Sequence, residues 1–223
     1  ASNDFILNTS LSITSDTTGN PGDPSGAAGA SINKTVGGLT VYAGRDIILN
    51  GSFSANYRVT GGAGGSSAAL TWVGGNGGSV SLTRGAIDFT ATRNILLNGS
   101  IGFYVRSDGG VGGQSTGTNP TQVGGNGGWA SQVGSSASFT AGGDITVAPS
   151  ASFTGQAEAH GGSAGAASPN ASGGAGGFAV GNGMGIQFSA GGTFTQSLGS
   201  TMSTNAIGRG GHGSSFPAGG LGG

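Results

Sequence analysis

The feature of this chain that most constrains its fold is a short motif that recurs five times. The copies are 4–8, 46–50, 94–98, 144–148 and the more divergent 193–197. Their first residues are 42, 48, 50 and 49 positions apart. A long period with small variations in length is typical of one structural unit that is repeated with loop insertions.

Apolar residues recur within and around the motif at intervals of two. The aligned columns are Leu39, Ile87, Ala137 and Ile186; Val41, Phe89, Phe139 and Phe188; Ala43, Ala91, Ala141 and Ala190; Phe5, Ile47, Ile95, Ile145 and Phe194; and Leu11, Phe53 and Ile101, which slips by two residues to Phe153 and Met202. An interval of two places side chains on one face of a β-strand, and no helical interval competes with it. The sequence therefore predicts strands.

Stacking of like strands indicates an all-β fold, a parallel β-helix or β-solenoid of about 4.5 repeats of roughly 48 residues. No repeat can bury its own apolar face, so the core forms only between neighbours. We expect one domain over residues 1–223, because no linker marks a boundary. Its approximate repeats are 1–37, 38–84, 85–134, 135–183 and 184–223.

Glycine, with 53 of 223 residues, forms a second pattern. The motif Gly-Gly-x-Gly-Gly occurs at 61–65, 74–78, 109–113, 124–128, 173–177 and 219–223. Its fixed place in the repeat favours an ordered element, and we interpret each unit as two coils, one apolar and one glycine-rich. The glycine-rich coils or loops can be flat strands or a polyproline-II-like form. Corner glycines near 43–46 and 141–144 are expected to supply backbone freedom.

Two polar columns also follow the repeat. Asn8, Asn50 and Asn98 occupy one column, which predicts a structural ladder of amide hydrogen bonds along the solenoid axis. Arginine and aspartate recur at a nearby corner, in Arg45, Asp46, Arg93 and Asp144. We interpret these charges as a solvated row of salt bridges.

Composition narrows the possible functions. Seven Lys and Arg against eight Asp and Glu give a net charge of −1, which argues against nucleic-acid binding. Without cysteine the chain has no disulfides or zinc thiolate sites, which suits an exported protein. No apolar run reaches the roughly 20 residues of a membrane span. Because both ends fall inside a repeat and no signal peptide is present, we expect a mature or excised piece, or a subunit that docks end to end.

Motifs for metals, cofactors or catalysis are weak. Calcium-binding glycine repeats need an aspartate after Gly-Gly-x-Gly-x, and the residues found there are Ser66, Ser79, Gln114, Trp129 and Phe178. Glu158 and His160 would share a strand face, but the sequence indicates no third partner for them. We therefore predict no metal, no cofactor and no enzyme activity.

Aromatic and apolar residues are the candidate contacts for self-association or for a ligand. They are Trp72, Trp129, Tyr57, Tyr104 and Leu221. Strand parity is expected to turn Tyr42, Tyr57 and Tyr104 outward.

The segments 39–55 and 137–147 resemble the repeats of filamentous-haemagglutinin-type exoproteins of Gram-negative bacteria. The resemblance implies a right-handed parallel β-helix, secretion to the cell surface, and a role in adhesion or biofilm. The chain departs from this family because its Asn-Pro pair at 119–120 lies in a glycine-rich segment and carries no secretion signature.

We therefore predict a structural or adhesive extracellular protein of a bacterial cell surface, which forms a head-to-tail filament or part of an adhesin stalk. The expected partners are copies of itself, with surface glycans or matrix as further candidates. One alternative is an ice-binding solenoid, for which the column Tyr42, Thr90, Thr140 and Ser189 is only partly suitable. Another is a polysaccharide-acting enzyme, which would need a cluster of charged residues that the sequence does not indicate.

Overall fold

The computed structural model describes residues 3–67, 73–116, 122–133, 136–167 and 172–214, which form 18 strands and no helix. The first two sheets have five strands each: sheet 1 contains β1 (Phe5–Leu7), β5 (Ile47–Leu49), β9 (Ile95–Leu97), β13 (Ile145–Val147) and β17 (Phe194–Gln196), and sheet 2 contains β2 (Leu11–Thr18), β6 (Phe53–Thr60), β10 (Ile101–Asp108), β14 (Ser152–His160) and β18 (Thr201–Arg209). The other two have four strands each: sheet 3 contains β3 (Ile32–Val36), β7 (Val80–Arg84), β11 (Ala130–Val133) and β15 (Ala179–Gly181), and sheet 4 contains β4 (Leu39–Ala43), β8 (Ile87–Ala91), β12 (Ala137–Ala141) and β16 (Ile186–Ala190).

Every strand pair is parallel, and each complete repeat adds one strand to each sheet. The architecture is therefore a parallel β-solenoid, as the repeats predict. The interpretation of each unit as two coils is wrong, because one repeat makes one coil. The glycine-rich segments leave the coil after sheet 2 and return at sheet 3, so they close no coil of their own.

The apolar columns of the sequence are the inward columns of the structure. Val41, Phe89, Phe139 and Phe188 are in register in sheet 4. In sheet 2 the two-residue slip is confirmed, because Ile101 pairs with Phe153. A turn at 148–151 absorbs the slip, with the Ala151 amide donating to the Ala148 carbonyl.

Phenylalanine rings stack along the core in the direction of the axis. The ring centroids of Phe89, Phe139 and Phe188 are separated by 5.1 Å at each step, with nearly parallel planes. Phe53 and Phe153 of sheet 2 meet Phe89 and Phe139 edge to face. Both geometries are favourable for aromatic pairs, and each buried ring adds about 2 kcal/mol through removal of apolar surface from water.

The glycine-rich segments form a second stacked element, which we call the glycine bundle. Each coil contributes an outgoing limb and a returning limb, such as 61–67 and 73–79 in the second coil. Along the stack of outgoing limbs, the Gly61 amide donates to the Asp108 carbonyl and the Gly64 amide to the Val111 carbonyl. These bonds repeat every three residues, which is the period of polyproline II.

Hydrogen bonds also join the two limbs. The amides of Gly75 and Gly78 donate to the carbonyls of Gly65 and Gly62 in the same coil, so the two limbs run antiparallel. The amide of Gly62 in turn donates to a returning limb, at the Ala30 carbonyl of the preceding coil. Two of every three amides are thus used inside the bundle, and the third residue of each Gly-Gly-x triplet faces outward.

Glycine is required here because the limbs approach one another closely. A Cβ atom added at Gly110 would lie 2.0 Å from the Gly62 carbonyl oxygen, which no side chain can tolerate without backbone movement. Among the described residues only Gly26 and Gly199 have positive φ, so the glycines at the corners near 43–46 and 141–144 do not serve a left-handed backbone. At the 141–144 corner, a Cβ on Gly142 would lie 2.2 Å from the Thr92 carbonyl oxygen.

We predict that Gly110→Ala lowers the free energy of unfolding by about 3 kcal/mol, because the added methyl group forces the limbs apart. The matched control is Gly102→Ala on the outer face of β10, where an added Cβ meets nothing within 4 Å. That variant should differ from the parent by less than about 1 kcal/mol. Urea unfolding followed by circular dichroism measures both, and equal effects would contradict the close-approach argument.

Candidate functional site

Side chains at the first position of the repeated motif form a ladder at one corner. The Oδ1 atoms of Asp46, Asn94 and Asp144 accept from the backbone amides of Asn94, Asp144 and Thr193, at 2.9, 2.9 and 2.7 Å. Asp4 does the same for the amide of Asp46 at 3.2 Å. Aspartate and asparagine are interchangeable here because both offer an acceptor oxygen, which explains why the motif begins with either.

The arginines of this corner pair with the aspartate of the preceding coil. Arg45 Nε lies 3.5 Å from Asp4 Oδ1, and Arg93 Nη2 lies 3.0 Å from Asp46 Oδ2. In the next coil Gly143 occupies the position of these arginines, and it lies next to Asn94, which occupies the position of the aspartates and carries no charge. The arginine and the aspartate are thus absent together, as expected of a charge pair that joins successive coils.

Asn8, Asn50 and Asn98 form a chain of amide hydrogen bonds. Asn50 Nδ2 donates to Asn8 Oδ1 at 2.9 Å, and Asn98 Nδ2 donates to Asn50 Oδ1 at 2.8 Å. In the next coil Ala148 follows β13, where the chain turns at 148–151. These amides bind neighbouring coils to each other, and their geometry suits a structural role.

We predict that Asp46→Ala destabilises the fold by about 1–2 kcal/mol, because the Asn94 amide loses its acceptor. Asp46→Asn keeps that oxygen and loses only the ion pair with the half-exposed Arg93 guanidinium, so its cost should be below about 1 kcal/mol. Thermal unfolding of the two variants distinguishes them. Equal losses in the two variants would show that the charge, and not the acceptor, holds this corner.

A cluster of charged residues lies on the outer face of sheet 2; we call Arg58, Arg106, Asp108, Glu158 and His160 the charged cluster. Asp108 lies 3.0 Å from Arg58, 2.8 Å from Arg106 and 3.4 Å from His160. Glu158 lies 3.6 Å from both Arg106 and His160. The sequence-based statements that no such cluster exists and that Glu158 and His160 lack a third partner are therefore wrong.

Neutral hydrogen-bond donors complete the cluster around Glu158. The Tyr104 hydroxyl donates to Glu158 Oε2 at 2.9 Å, and Gln156 Nε2 donates to Oε1 at 2.5 Å. Burial raises the pKa of the Tyr104 phenol, and its bond to Glu158 adds to this effect. Burial alone would lower the pKa of Arg106, but hydrogen bonds with Tyr104 and Asp108 raise it overall.

This geometry suits cohesion between strands better than acid–base chemistry. Both carboxylates are nearly buried and each lies against an arginine, so their charges are neutralised within the cluster. A general acid or base needs reach to a substrate in a concave site. The two grooves described below are lined by other residues.

We predict that Asp108→Asn costs about 2 kcal/mol of stability, because two guanidinium groups and the His160 imidazole lose the carboxylate they share. Asp16→Asn is the control: Asp16 is exposed on the same face of sheet 2, and its loss should change stability by less than about 0.5 kcal/mol. Chemical denaturation measures both. Similar small effects would mean that the charged cluster is solvated and weak.

The candidate contact residues fall in different environments. Tyr57 is only 4% exposed, so the expectation that it faces outward is wrong; strand β6 continues unbroken from Phe53 and puts both residues on the inner face. Tyr104 lies on the outer face but is held by Glu158. Trp72 and Leu221 lie outside the described residues.

Trp129 is exposed and forms a stack with Phe178 of the next coil. The ring centroids lie 5.9 Å apart with planes inclined by 9°, and the two side chains are 37% and 57% exposed. Sequence reasoning missed Phe178 as a partner. The available signal is positional, because both residues directly follow a Gly-Gly-x-Gly-Gly motif.

Two shallow grooves meet at Trp129. One, of about 270 Å³, runs along the returning limbs past Asn76 and Asn126. The other, of about 470 Å³, is lined by Ser31, Ile32, Asn33, Ser79, Ser81 and Trp129. Ser79 and Trp129 line both grooves, so the indole stands between the two depressions.

The column considered for ice binding is in register on sheet 4. Tyr42, Thr90, Thr140 and Ser189 follow one another in successive coils. Tyr42 is 70% exposed and its hydroxyl lies 3.4 Å from Thr92 Oγ1, so a large ring projects at one end of the row.

Within the described ranges, no group of three His, Cys, Asp or Glu side chains could hold a metal ion. The same residues contain no helix able to span a membrane. Comparisons with protein-family models, with curated proteins and with solved structures each returned no match. The resemblance to filamentous-haemagglutinin-type repeats therefore stays a prediction.

Proposed function

We propose that this chain is a structural and adhesive protein of the bacterial cell exterior, whose coils belong to a filament or a long surface stalk. The observation that carries the proposal is the pair of open sheet edges at opposite ends of the described solenoid. Strands β1 and β2 pair on one side only, with β5 and β6, and strands β17 and β18 pair on one side only, with β13 and β14.

The two edges match because they continue the same columns. Phe194 of β17 occupies the column of Phe5 in β1, and Met202 of β18 occupies the column of Leu11 in β2. An open edge offers a row of unpaired amides and carbonyls that another strand can extend. A second copy that docks here forms a contact that propagates into a filament, and further coils of a stalk would use the same edge.

Other properties agree with a passive mechanical role. Charged residues make up 7% of the chain, so little electrostatic repulsion opposes close stacking of copies. The glycine bundle adds a second hydrogen-bonded stack beside the solenoid, which ties each coil to its neighbours at two places. In the charged cluster the carboxylates are paired with arginines, which supports a role without catalysis.

We predict that the protein forms elongated stacks whose length grows with concentration, as measured by electron microscopy and analytical ultracentrifugation. Thr204→Pro should abolish them. The backbone groups of Thr201 and Arg209 form hydrogen bonds with the coil that contains β14, so the odd-numbered residues of β18 face β14. The amides of the even-numbered residues therefore point to the open edge. Proline at 204 removes one such amide and leaves the bonds to β14 intact.

The control is Thr204→Val, which has nearly the same shape and keeps the amide. It should stack like the parent, and both variants should show the parent's circular dichroism spectrum. Separate particles of the parent protein at millimolar concentration would refute self-assembly. Stacking by the proline variant would show that the edge of β18 is not the contact.

A further inference from the structure

Trp129 stands at the step from small to large side chains in one column. Backbone bonds from Ile32 to Ser79 and from Val80 to Trp129 place Ser31, Ser79 and Trp129 in the same position of successive coils. Adjacent coils are separated by about 4.8 Å, as strands in a sheet are. The change from serine to tryptophan therefore leaves a space beside the indole that is about one aromatic or sugar ring thick.

One face of the indole is covered and the other is open. Phe178 stacks on the side of the following coil, at 5.9 Å. The opposite face of the indole is directed along the solenoid axis towards Ser79 and Ser31, which line the groove of about 470 Å³. This volume is within the range of about 300–1,000 Å³ that small-ligand sites occupy.

The floor of this groove offers hydroxyl and amide groups. Ser79 and Ser81 provide hydroxyls, and Asn33 provides an exposed amide. In the other groove, along the returning limbs, the Oδ1 atoms of Asn76 and Asn126 accept hydrogen bonds from backbone amides at 2.9 and 2.8 Å. Their Nδ2 groups therefore remain as donors. Neither groove is lined by a charged side chain among the described residues.

We propose that the two grooves at Trp129 form a binding site for a neutral glycan. A pyranose ring has an apolar face of C–H groups and a rim of hydroxyls. The C–H face stacks on the open indole face, whose π-system is negative, and the hydroxyls bond to the serine and asparagine groups. An acidic glycan or a nucleotide would find no cation in the lining, so the site favours an uncharged ligand.

This inference names a ligand class for the adhesive part of the proposed function, and it does not depend on filament formation. Thr204→Pro should bind glycans as the parent does, because β18 contributes nothing to the grooves. A loss of stacking and a loss of glycan binding can therefore be observed separately.

The test is isothermal titration with cellotetraose, maltotetraose and laminaritetraose, and with tetragalacturonate as the acidic comparison, up to roughly 10 mM ligand. We expect at least one neutral oligosaccharide to bind and the acidic one not to bind. Trp129→Ala should weaken binding about tenfold or more, because the stacking face is lost. Trp129→Phe should retain part of the affinity.

Tyr42→Ala is the matched control, since it removes another exposed aromatic ring, from sheet 4, and should leave binding unchanged. Ser79→Tyr is a second test that keeps Trp129 and fills the space beside it, so it should block binding without altering the far-UV spectrum. Unchanged binding by both Trp129→Ala and Ser79→Tyr, equal binding of tetragalacturonate, or no binding of any neutral oligosaccharide would overturn the proposal.

Discussion

The hydrogen bond between backbone groups of successive coils is the interaction on which the rest of the structure depends. It joins parallel strands in four sheets, and it joins the glycine limbs by the same step along the axis. Each coil therefore has to repeat the path of its neighbour at every point where a bond forms. Because a single coil has no core, register and burial arise together, and insertions fall between strands, at turns such as 148–151 and in the glycine-rich segments.

The glycine bundle obeys the same constraint with a different solution. Its limbs lack inward side chains, so they gain cohesion from bonds to parallel and antiparallel neighbours at once, which requires approaches such as that of Gly110 to the Gly62 carbonyl. Glycine loses more conformational freedom on folding than any other residue. Dense hydrogen bonding offsets that loss, which explains why the motif is strict at both glycines and variable at the third residue.

The sequence predicts the inner columns well, because like residues recur there at intervals of two; Phe89, Phe139 and Phe188 are an example. The sequence does not reveal that the two glycine motifs of a repeat are antiparallel limbs of one loop, and this is why it predicts two coils where the structure has one. The charged cluster escapes detection for another reason. Asp108 and His160 follow Thr18 and Thr60 in one column, so no run of like residues marks the place.

Inner and outer positions are thus under opposite demands. An inward side chain must match the one above it, since a change in size disturbs two coils, and the repeat is preserved there. An outward side chain meets solvent and can change from one coil to the next without cost to the core. Departures from the repeat on the outer faces, such as the change from Ser79 to Trp129, are therefore the places where a solenoid of this kind can acquire a binding function while its fold is maintained.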